Sequence, residues 1–547
     1  MIAADYTDTA TTLGQYALLA VLILPALGAL ALALPVGGDR AGRIVGTAVA
    51  ALTVLASLPL LARPAGAGWF AYGPPLDGPP GVLPWHQLDL PWVPALDLRF
   101  HLGVDGISYP LVLLTTVLTL LCCAYTVWRV PHGRRNGRAL VALLLVVEVG
   151  IVGTFLALDL VLFFVFFEVV LLPMYAIIAG WGGTKGAADG TVQIGGTGQT
   201  DGAHRRAATK FAIYTLAGSV LLLVGVVTVV TAAGTADLTV LTGGTDLTRG
   251  TQLAAFTLLA LAFAVKAPLW PLHSWLPDAH SQAPTVGSVI LAGVLLKMGT
   301  YGLIRVAVGV APEGARWAAP VLGTLAVTAI VVGALVCLAQ TELKRLIAYS
   351  SVGHMGFVLL GIATLSATGI QAALIGNVAH GVITGLLFFL AGAIKDRFHT
   401  GELAALGGLR ERSPALAGLL GFAAIASLGL PGLAGFWGEA FAVVAAWQRG
   451  GPLWITLAAV AAVGAALTAA YLLRMLRRVS HGPPGPAVQA TAVAGPAGPT
   501  GPVGPIARAE ALVWTPLVVA TLVIGLVPAL VLGMAESPVE ILLEVTR

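Results

Sequence analysis

Apolar residues occur along the chain in long runs, and polar residues gather between the runs. About fourteen runs are long enough, at roughly 20 residues each, for an α-helix to cross the hydrocarbon core of a bilayer. The runs centre near Leu24, Leu52, Val117, Val147, Phe166, Leu222, Leu261, Leu295, Val327, Leu359, Leu386, Ile425, Ala462 and Leu522. They are too long for barrel strands, and backbone in lipid must hydrogen-bond within its own segment. The pattern predicts an all-α polytopic membrane protein with about fourteen transmembrane helices.

The composition of the chain excludes a soluble globular domain. Of its 547 residues, 58% are hydrophobic and 10% are charged, whereas a soluble domain carries roughly 25% charged residues. A bilayer can accommodate so much apolar surface because it is itself an apolar solvent. The cysteines Cys122, Cys123 and Cys337 lie inside apolar runs without metal-ligand spacing, so we interpret them as packing residues.

The basic residues divide the loops between the spans into two sets. Odd-numbered loops hold most of the arginines and lysines, among them Arg40, Arg138 and Lys395, and even-numbered loops are poorer in both. Because cytoplasmic loops carry the excess of Lys and Arg, the odd-numbered loops are predicted to lie in the cytoplasm. An even number of spans then places both termini on the outer face.

A few ionisable residues lie inside the apolar runs, where a charge is costly unless it has a partner or a path to water. The six candidates for a proton relay are Glu168, Lys266, Lys297, His354, His380 and Glu439. One or two such residues would fit ion pairs that hold helices together. Six of them on different spans favour a relay, because these side chains can bind and release protons. Glu148 and Lys344 are possible accessory residues, and Glu148 fits a proton port and a structural partner equally well.

Two of the predicted spans are expected to be broken beside a charge. Lys266 is followed by Pro268 and Pro271, and Glu439 is preceded by Pro431-Gly432. Proline removes a helical hydrogen bond, and a break at membrane depth is tolerated only where protein or water satisfies the backbone. The broken spans are the seventh and the twelfth, five apart, which is the pattern of two inverted five-helix repeats. Ordinary proline kinks are the alternative.

These patterns predict four parts of the chain. Residues 1–138 contain helices 1–3 and an outer loop, residues 139–309 the first repeat (helices 4–8), residues 310–478 the second repeat (helices 9–13), and residues 479–547 a linker and helix 14. Two segments, 182–202 and 482–505, are rich in Gly together with Thr, or with Pro and Ala. We interpret both as passive spacers without a packed core.

Three segments carry a resemblance to a known family. Residues 263–280 read Phe-Ala-Val-Lys-Ala-Pro-Leu-Trp-Pro-Leu-His-Ser-Trp-Leu-Pro-Asp-Ala-His, residues 283–302 contain Val-Leu-Leu-Lys-Met-Gly-Thr-Tyr-Gly, and residues 344–357 contain Tyr-Ser-Ser-Val-Gly-His-Met-Gly-Phe. They resemble subunit M, an antiporter-like subunit of the proton-pumping NADH-quinone oxidoreductase (respiratory complex I). The likeness runs from Gly103-Val-Asp-Gly-Ile-Ser to about Glu439, and more loosely to the last span. The second segment looks typical of subunit M, whereas His-Ser-Trp-Leu-Pro-Asp-Ala-His is shared by the wider antiporter-like superfamily.

The resemblance implies a role for each relay candidate. Glu168 matches the essential glutamate of the fifth helix, and Lys266 matches its lysine partner in the broken seventh helix. Lys297 matches the connecting lysine of the eighth helix, and the two histidines match polar residues of the central axis. Glu439 matches the glutamate of the broken twelfth helix, which faces the exit side.

The resemblance also implies partners and a location. The chain would be one multi-pass pumping module in a bacterial cell membrane, surrounded by lipid and by other membrane subunits, including homologous antiporter-like subunits on either side. NADH would reduce quinone elsewhere in the complex. Flavin and iron–sulfur clusters are expected in partner subunits and no cofactor, metal or nucleic acid in this chain, which has no cysteine cluster and no Gly-x-Gly-x-x-Gly after a strand.

Three other functions remain open at this point. The homologous membrane component of a multisubunit sodium/proton antiporter belongs to the same superfamily, but the phrase around Lys297 argues against it. A component of a membrane-bound hydrogenase would be distinguished by its hydrogenase partner. A purely structural membrane scaffold would tolerate neutral polar replacements of the buried charges.

Overall fold

The structure, a computed structural model, describes residues 2–34, 37–61, 84–96, 98–130, 136–183, 202–243, 247–493 and 506–544. In these residues, twelve helices are long and apolar enough to cross a membrane. The prediction of an all-α polytopic membrane protein is therefore confirmed. The count of about fourteen spans and the two inverted repeats stay predictions.

The helices follow one another along the chain with short connections. The first elements are α1 (Ile2–Ala33), α2 (Asp39–Ser57), the strands β1 (His86–Val93) and β2 (Leu98–Val104), α3 (Tyr109–Trp128), α4 (Gly137–Leu156), α5 (Leu160–Val169), α6 (Leu171–Trp181), α7 (Ala203–Ala233) and α8 (Leu238–Leu241). Next come α9 (Arg249–Lys266), α10 (Trp275–Gln282), α11 (Thr285–Ile290), α12 (Leu296–Gly302), α13 (Pro312–Ala339), α14 (Leu343–Ala363) and α15 (Ala367–Phe398). The last are α16 (Leu409–Arg412), α17 (Pro414–Ser427), α18 (Ala434–Arg449), α19 (Gly451–Ser480), α20 (Pro486–Val493), α21 (Arg508–Leu526) and α22 (Ala529–Glu544). Short 3-10 turns lie at Leu58–Leu61, Pro94–Leu96 and Leu403–Ala405.

A two-stranded antiparallel sheet is the exception to the all-helical prediction. β1 and β2 pair with Asp89 opposite His101, within the loop that follows the second predicted span. Arg99 donates two hydrogen bonds, of 2.7 and 2.6 Å, to the carboxylate of Asp89. The backbone N–H of Leu158 donates to the carbonyl of His101 (2.9 Å), so the hairpin is fixed to the turn between α4 and α5.

Both predicted helix breaks are present. α9 ends at Lys266, and the non-helical stretch before α10 contains Pro268 and Pro271. The stretch between α17 and α18 contains Pro431 and Gly432, the latter with φ +90°. Prolines cannot donate to the preceding turn, and a positive φ favours glycine, so the sequence dictates both interruptions. The breaks place backbone polar groups beside two of the relay candidates.

The fifth predicted span is also interrupted, which the sequence analysis did not predict. α5 ends at Val169 and α6 starts at Leu171, so the interruption lies one turn or less from Glu168. Pro173, in the first turn of α6, has no N–H to donate to the carbonyl of Val169. A third relay candidate therefore also lies beside a helix break.

The helix that carries Lys297 is the most deeply buried and is not a regular α-helix. It runs over Thr285–Val308, and its most apolar stretch is entirely buried inside the molecule. Two π-helical turns, Leu291–Leu295 and Leu303–Val308, lie on either side of α12. The corresponding stretches of α15 and α14 are 94% and 89% buried, whereas that of α2 is only 28% buried. These three helices form the centre of the molecule, and π-helical turns are frequent at functional sites.

The C-terminal part of the chain differs from its prediction in two respects. The segment 482–505 is not wholly a passive spacer, because its residues 486–493 form α20 and Val488 is fully buried. Gly485 donates a backbone hydrogen bond of 2.8 Å to Gly407, which ties the segment to the loop before α16. A further helix, α22, follows the last predicted span and packs against α15. Residues 184–201 of the first spacer and 494–505 of the second lie outside the described part.

Candidate functional site

The first relay candidate, Glu168, lies on α5 and is only partly buried. Its carboxylate accepts a short hydrogen bond from the hydroxyl of Ser219 on α7. The same hydroxyl lies 3.0 Å from the carbonyl oxygen of Thr215. A hydroxyl has one proton to donate, so Ser219 can bond to the carboxylate or to the carbonyl but not to both at full strength. The hydroxyl can therefore follow changes in the charge of Glu168.

Lys266 lies at the end of α9 and is 2% exposed. Its Nζ atom lies 4.6 Å from the centre of the Phe167 ring and has no hydrogen-bond partner among the described residues. Lys266 and Glu168 are not in ion-pair contact, although their charges interact through space. A buried ammonium group with only an aromatic face for company is weakly stabilised as a cation. This site can therefore hold lysine in either protonation state.

Lys297 and His380 are in direct contact at the centre of the molecule. Nζ of Lys297 lies 2.6 Å from Nδ1 of His380 and donates to the carbonyl of Ala292, also at 2.6 Å. The acceptor Ala292 belongs to the first π-helical turn, so this irregular turn positions the lysine. Next to the pair, the hydroxyl of Thr300 donates to the side-chain oxygen of Asn377 (3.0 Å). Lysine and imidazole at this distance can exchange a proton directly.

His354, Glu439 and Ser427 form the next cluster. Nδ1 of His354 lies 2.7 Å from a carboxylate oxygen of Glu439, and Nε2 lies 3.0 Å from the hydroxyl of Ser427. The rings of His354 and His380 have centroids 5.9 Å apart. A cavity of about 30 Å³ lies between these side chains and is lined by both histidines, Ser427, Glu439 and Thr384. It is large enough for water, which can bridge the two rings.

The four candidates from Lys297 to Glu439 therefore form one continuous row. Two direct contacts, Lys297 to His380 and His354 to Glu439, are joined at the cavity. The structure does not connect Lys266 to Lys297 by any hydrogen bond among the described residues. It brings their helices together, since a Cβ added to Gly299 of α12 would meet the backbone N of Ala267 at 2.7 Å.

The two accessory candidates lie outside this row. Glu148 is fully buried on α4, and neither of its carboxylate oxygens has a hydrogen-bond partner among the described residues. Lys344 is 5% exposed, and its Nζ atom donates to the carbonyl of Ala283 (3.2 Å). Both roles proposed for Glu148 remain open, since the geometry shows burial without a partner.

Sequence reasoning missed several polar residues of the site. Ser219 and Ser427 bond to Glu168 and His354, and Asn377 lies beside His380. His280 is fully buried, stacks on Phe388 with ring centroids 4.6 Å apart, and has no hydrogen-bond partner among the described residues. The only available signal was for His280, which ends the phrase Trp-Leu-Pro-Asp-Ala-His.

At one end of the bundle, outside the spans, a second polar group fixes the loops. Asp237 lies before α8, and its carboxylate is 3.2 Å from Nδ1 of His101. Burial acts to raise the pKa of Asp237, but hydrogen bonds from His101 and Thr239 outweigh it and hold the pKa at about 2. Asp159 caps α5 by accepting from the backbone N–H groups of Val161 and Leu162, and burial raises its pKa. These carboxylates stabilise helix ends.

Fold and site together define a class of protein: a polytopic α-helical membrane protein with broken helices and a row of ionisable residues through its centre. The chain belongs to the NADH:quinone oxidoreductase/Mrp antiporter transmembrane family, whose model matches residues 157–468. The matched range covers all six relay candidates. The predicted likeness to the antiporter-like subunits is therefore confirmed.

Curated relatives support the same assignment. The chain is 42% identical over 385 residues to a protein of Rhodobacter capsulatus named NADH-quinone oxidoreductase subunit M, an alignment that covers 68% of this chain and 70% of that protein. It is 43% identical over 349 residues to a protein of a Synechococcus strain named NAD(P)H-quinone oxidoreductase chain 4 1. That alignment covers 64% of this chain and 62% of the relative.

Solved structures show the same fold. A chain of respiratory complex I from Thermus thermophilus superposes with a TM-score of 0.78 at 29% identity, over 97% of this chain and 100% of that one. A chain of the Mrp complex from Dietzia superposes with a TM-score of 0.73 over 96% of this chain and 52% of that one. At 23% identity, the second likeness shows the fold alone.

Proposed function

We propose that the chain is a proton-pumping membrane-arm subunit of an NADH:quinone oxidoreductase, equivalent to subunit M. The observation that supports it best is the row Lys297–His380–His354–Glu439, in which each gap is a contact of 2.6–2.7 Å or a water-sized cavity. The names of the relatives supply the redox partner reaction. This chain contributes the proton path, and quinone reduction takes place elsewhere in the complex.

The proton would pass along the row in chain order. Glu168 loads a proton at the interrupted fifth helix, and Lys266 responds through its charge. Lys297 then exchanges a proton with His380, and the cavity carries it to the pair His354 and Glu439. Moving one charge changes the attraction of the next group, so the sites titrate together. Ser219 and Ser427 act as positioning residues, because a hydroxyl can donate to a charged carboxylate or imidazole nitrogen and accept when that group is protonated.

The partial exposure of Glu168 supports partners at its side of the chain. Neighbouring residues of α5 and α6 are also exposed, with Val165 at 38% and Leu172 at 75%. A carboxylate facing hydrocarbon is costly, so a second polytopic subunit is the expected cover. We propose that homologous antiporter-like subunits of the same complex flank this chain in a bacterial cell membrane, with both termini on the outer face.

Replacing Glu168 by glutamine tests the proposed function. The Glu168→Gln complex is expected to assemble, because glutamine keeps the size and can still accept from Ser219. Proton pumping coupled to NADH oxidation should fall at least about tenfold, because the amide cannot carry a proton. The matched control is Glu313→Gln, which neutralises a carboxylate paired with Arg249 away from the row and should leave pumping unchanged. Normal pumping by vesicles that contain the Glu168→Gln complex would contradict the proposal.

A second candidate is a membrane component of a multisubunit sodium/proton antiporter, which the Mrp part of the family description favours. Both candidates would use the same buried row. Purifying the chain with its partner subunits separates them: a flavin- and iron–sulfur-containing assembly supports the oxidoreductase, and an assembly without redox centres that exchanges Na⁺ for H⁺ supports the antiporter.

A further inference from the structure

An arginine cluster lies where α19 ends and the short helix α16 packs against it. Its members are Arg410, Arg412, Arg474, Arg477 and Arg478. None of the five forms an ion pair with a carboxylate among the described residues, whereas Arg129 and Arg397 at other helix ends are paired with acids. The cluster is therefore a concentration of unneutralised positive charge.

The backbone brings the two parts of the cluster together. A Cβ added to Gly407, just before α16, would lie 3.7 Å from the carbonyl oxygen of Arg478. On α19, the spacing of Arg474, Arg477 and Arg478 places them on neighbouring positions of one helix surface. Arg474 and Arg478 also line a small cavity of about 10 Å³ together with Gln340 and Tyr471. Their guanidinium groups thus surround a polar recess between helices.

The acids nearby do not cancel this charge. Glu402 and Glu411 are exposed in the same loop region, and within the described part of the chain they form no ion pair with the cluster. Five arginines against two glutamates leave a net charge of +3. A local charge of this size at a helix end attracts anions from the surroundings.

The surface beside the cluster is apolar and uncovered. α19 exposes Leu473 (53%), Val463 (60%) and Ile455 (40%), a stripe that leads away from the arginines along the span. A free phosphate would use only the arginines. An acyl chain lying against this stripe while its phosphate meets the guanidinium groups would use both features.

We propose that this corner of the chain is a binding site for an anionic phospholipid. The headgroup phosphate is held by Arg474 and Arg478 at the recess, with Arg410, Arg412 and Arg477 around it, and the acyl chains lie along α19. The site is separate from the proton row, because none of its residues lies in the row or touches it. It would attach a specific lipid to the rim of the pumping subunit.

Lipid binding to the intact complex tests the proposal. The purified, delipidated complex is titrated with cardiolipin, phosphatidylglycerol and phosphatidylcholine, with the Arg474→Gln/Arg478→Gln complex in parallel. We expect anionic lipids to bind roughly 25-fold more weakly to the variant, from about fivefold for each basic residue at the membrane surface. Phosphatidylcholine should bind both complexes equally weakly. Comparing the two-phosphate and one-phosphate lipids shows which headgroup the site prefers.

Two control variants keep the test decisive. Arg474→Lys/Arg478→Lys preserves the charge and should retain most of the binding. Arg40→Gln removes an exposed, isolated arginine at the start of α2 and should change nothing. Equal anionic-lipid binding by the glutamine variant and the unaltered complex would overturn the proposal. So would full competition by inorganic phosphate, which indicates a free-anion site, or loss of a partner subunit, which indicates a protein interface.

Discussion

At the scale of the residue, the two lysines of the row have opposite surroundings. Nζ of Lys297 has two partners at 2.6 Å, whereas Nζ of Lys266 has only the face of Phe167. A partner such as His380 lets a lysine give up its proton at once. Lys266 has no such acceptor in contact among the described residues, so it influences the row mainly through its charge. The two residues therefore carry out different tasks in the proposed relay.

The Lys266→Arg variant is expected to pump little better than Lys266→Ala. A relay lysine must lose its proton during the cycle, and arginine remains charged in proteins. Pumping should fall at least about tenfold in both variants, within the range for loss of a proton-transfer group. The measurement is proton uptake by vesicles during NADH oxidation. A structural role for the charge predicts the opposite, near-normal uptake by the arginine variant.

Replacements of Glu439 are expected to rank by whether they titrate. Aspartate keeps the carboxyl but retreats from His354 by one methylene, so it should retain partial pumping. Glutamine keeps the shape but cannot carry a proton, and alanine lacks the group, so both should lose about tenfold or more. Pumping by each assembled complex gives the ranking. If glutamine outperforms aspartate, Glu439 holds the structure together and is not part of the relay.

The sequence predicts the charged members of the row well but not their polar partners. A single glutamate or lysine within an apolar run stands out because its burial is costly without a function. Ser219 and Ser427 do not stand out, because serine is common in membrane helices and satisfies itself on its own backbone. Their partners lie 51 and 73 residues away, and only the three-dimensional structure brings them together.

At the scale of the element, helix breaks accompany three of the relay candidates. Two breaks could be predicted from Pro-rich or Pro-Gly sequences next to a charge. The third, after α5, depends on Pro173 alone, and a single proline in an apolar run is equally compatible with a mild kink. The β-hairpin could not be predicted, because its strands are short and their burial depends on contact with the α4–α5 turn.

The loop between α7 and α9 is expected to show a pH-dependent contribution to stability from Asp237. Its folded pKa of about 2 lies below the ordinary value of 3.8. The contribution is therefore complete above about pH 4 and is lost as the pH falls through 2. With solvent screening, it amounts to about 1 kcal/mol. Asp237→Asn should lower the thermal unfolding temperature at pH 6 but not near pH 2. Equal shifts at both pH values would exclude the charge as the cause.

At the scale of the whole molecule, a buried ion pair joins the beginning of the bundle to its centre. Arg305, in the second π-helical turn, contacts the carboxylate of Asp105 before α3, and both are almost completely buried. Asp105 also accepts from the backbone N–H groups of Ile107 and Ser108 (3.0 Å each). Long-range packing of this kind cannot be predicted from sequence, because the two residues are 200 positions apart.

Removing one partner of this pair is expected to destabilise the chain strongly. Arg305→Met leaves the carboxylate of Asp105 buried without a counter-charge, at a cost of about 3–5 kcal/mol. Arg305→Met combined with Asp105→Asn should recover part of that loss, because the amide oxygen can still accept from the two backbone N–H groups. Thermal unfolding of the purified complex measures both. Additive losses in the double variant would show that the two residues do not act as a pair.

The carboxylate of Glu510 has a consequence for how the protein is made. Glu510, at the start of α21, accepts two hydrogen bonds from Arg397 and one from Arg129. Arg129 precedes it by 381 residues and Arg397 by 113. A ribosome needs roughly 20 to 80 s to synthesise the longer interval. During that time, both arginines wait at the membrane surface for the acid that neutralises them, so insertion of α21 completes the bundle and marks the first moment at which quality control can find it closed.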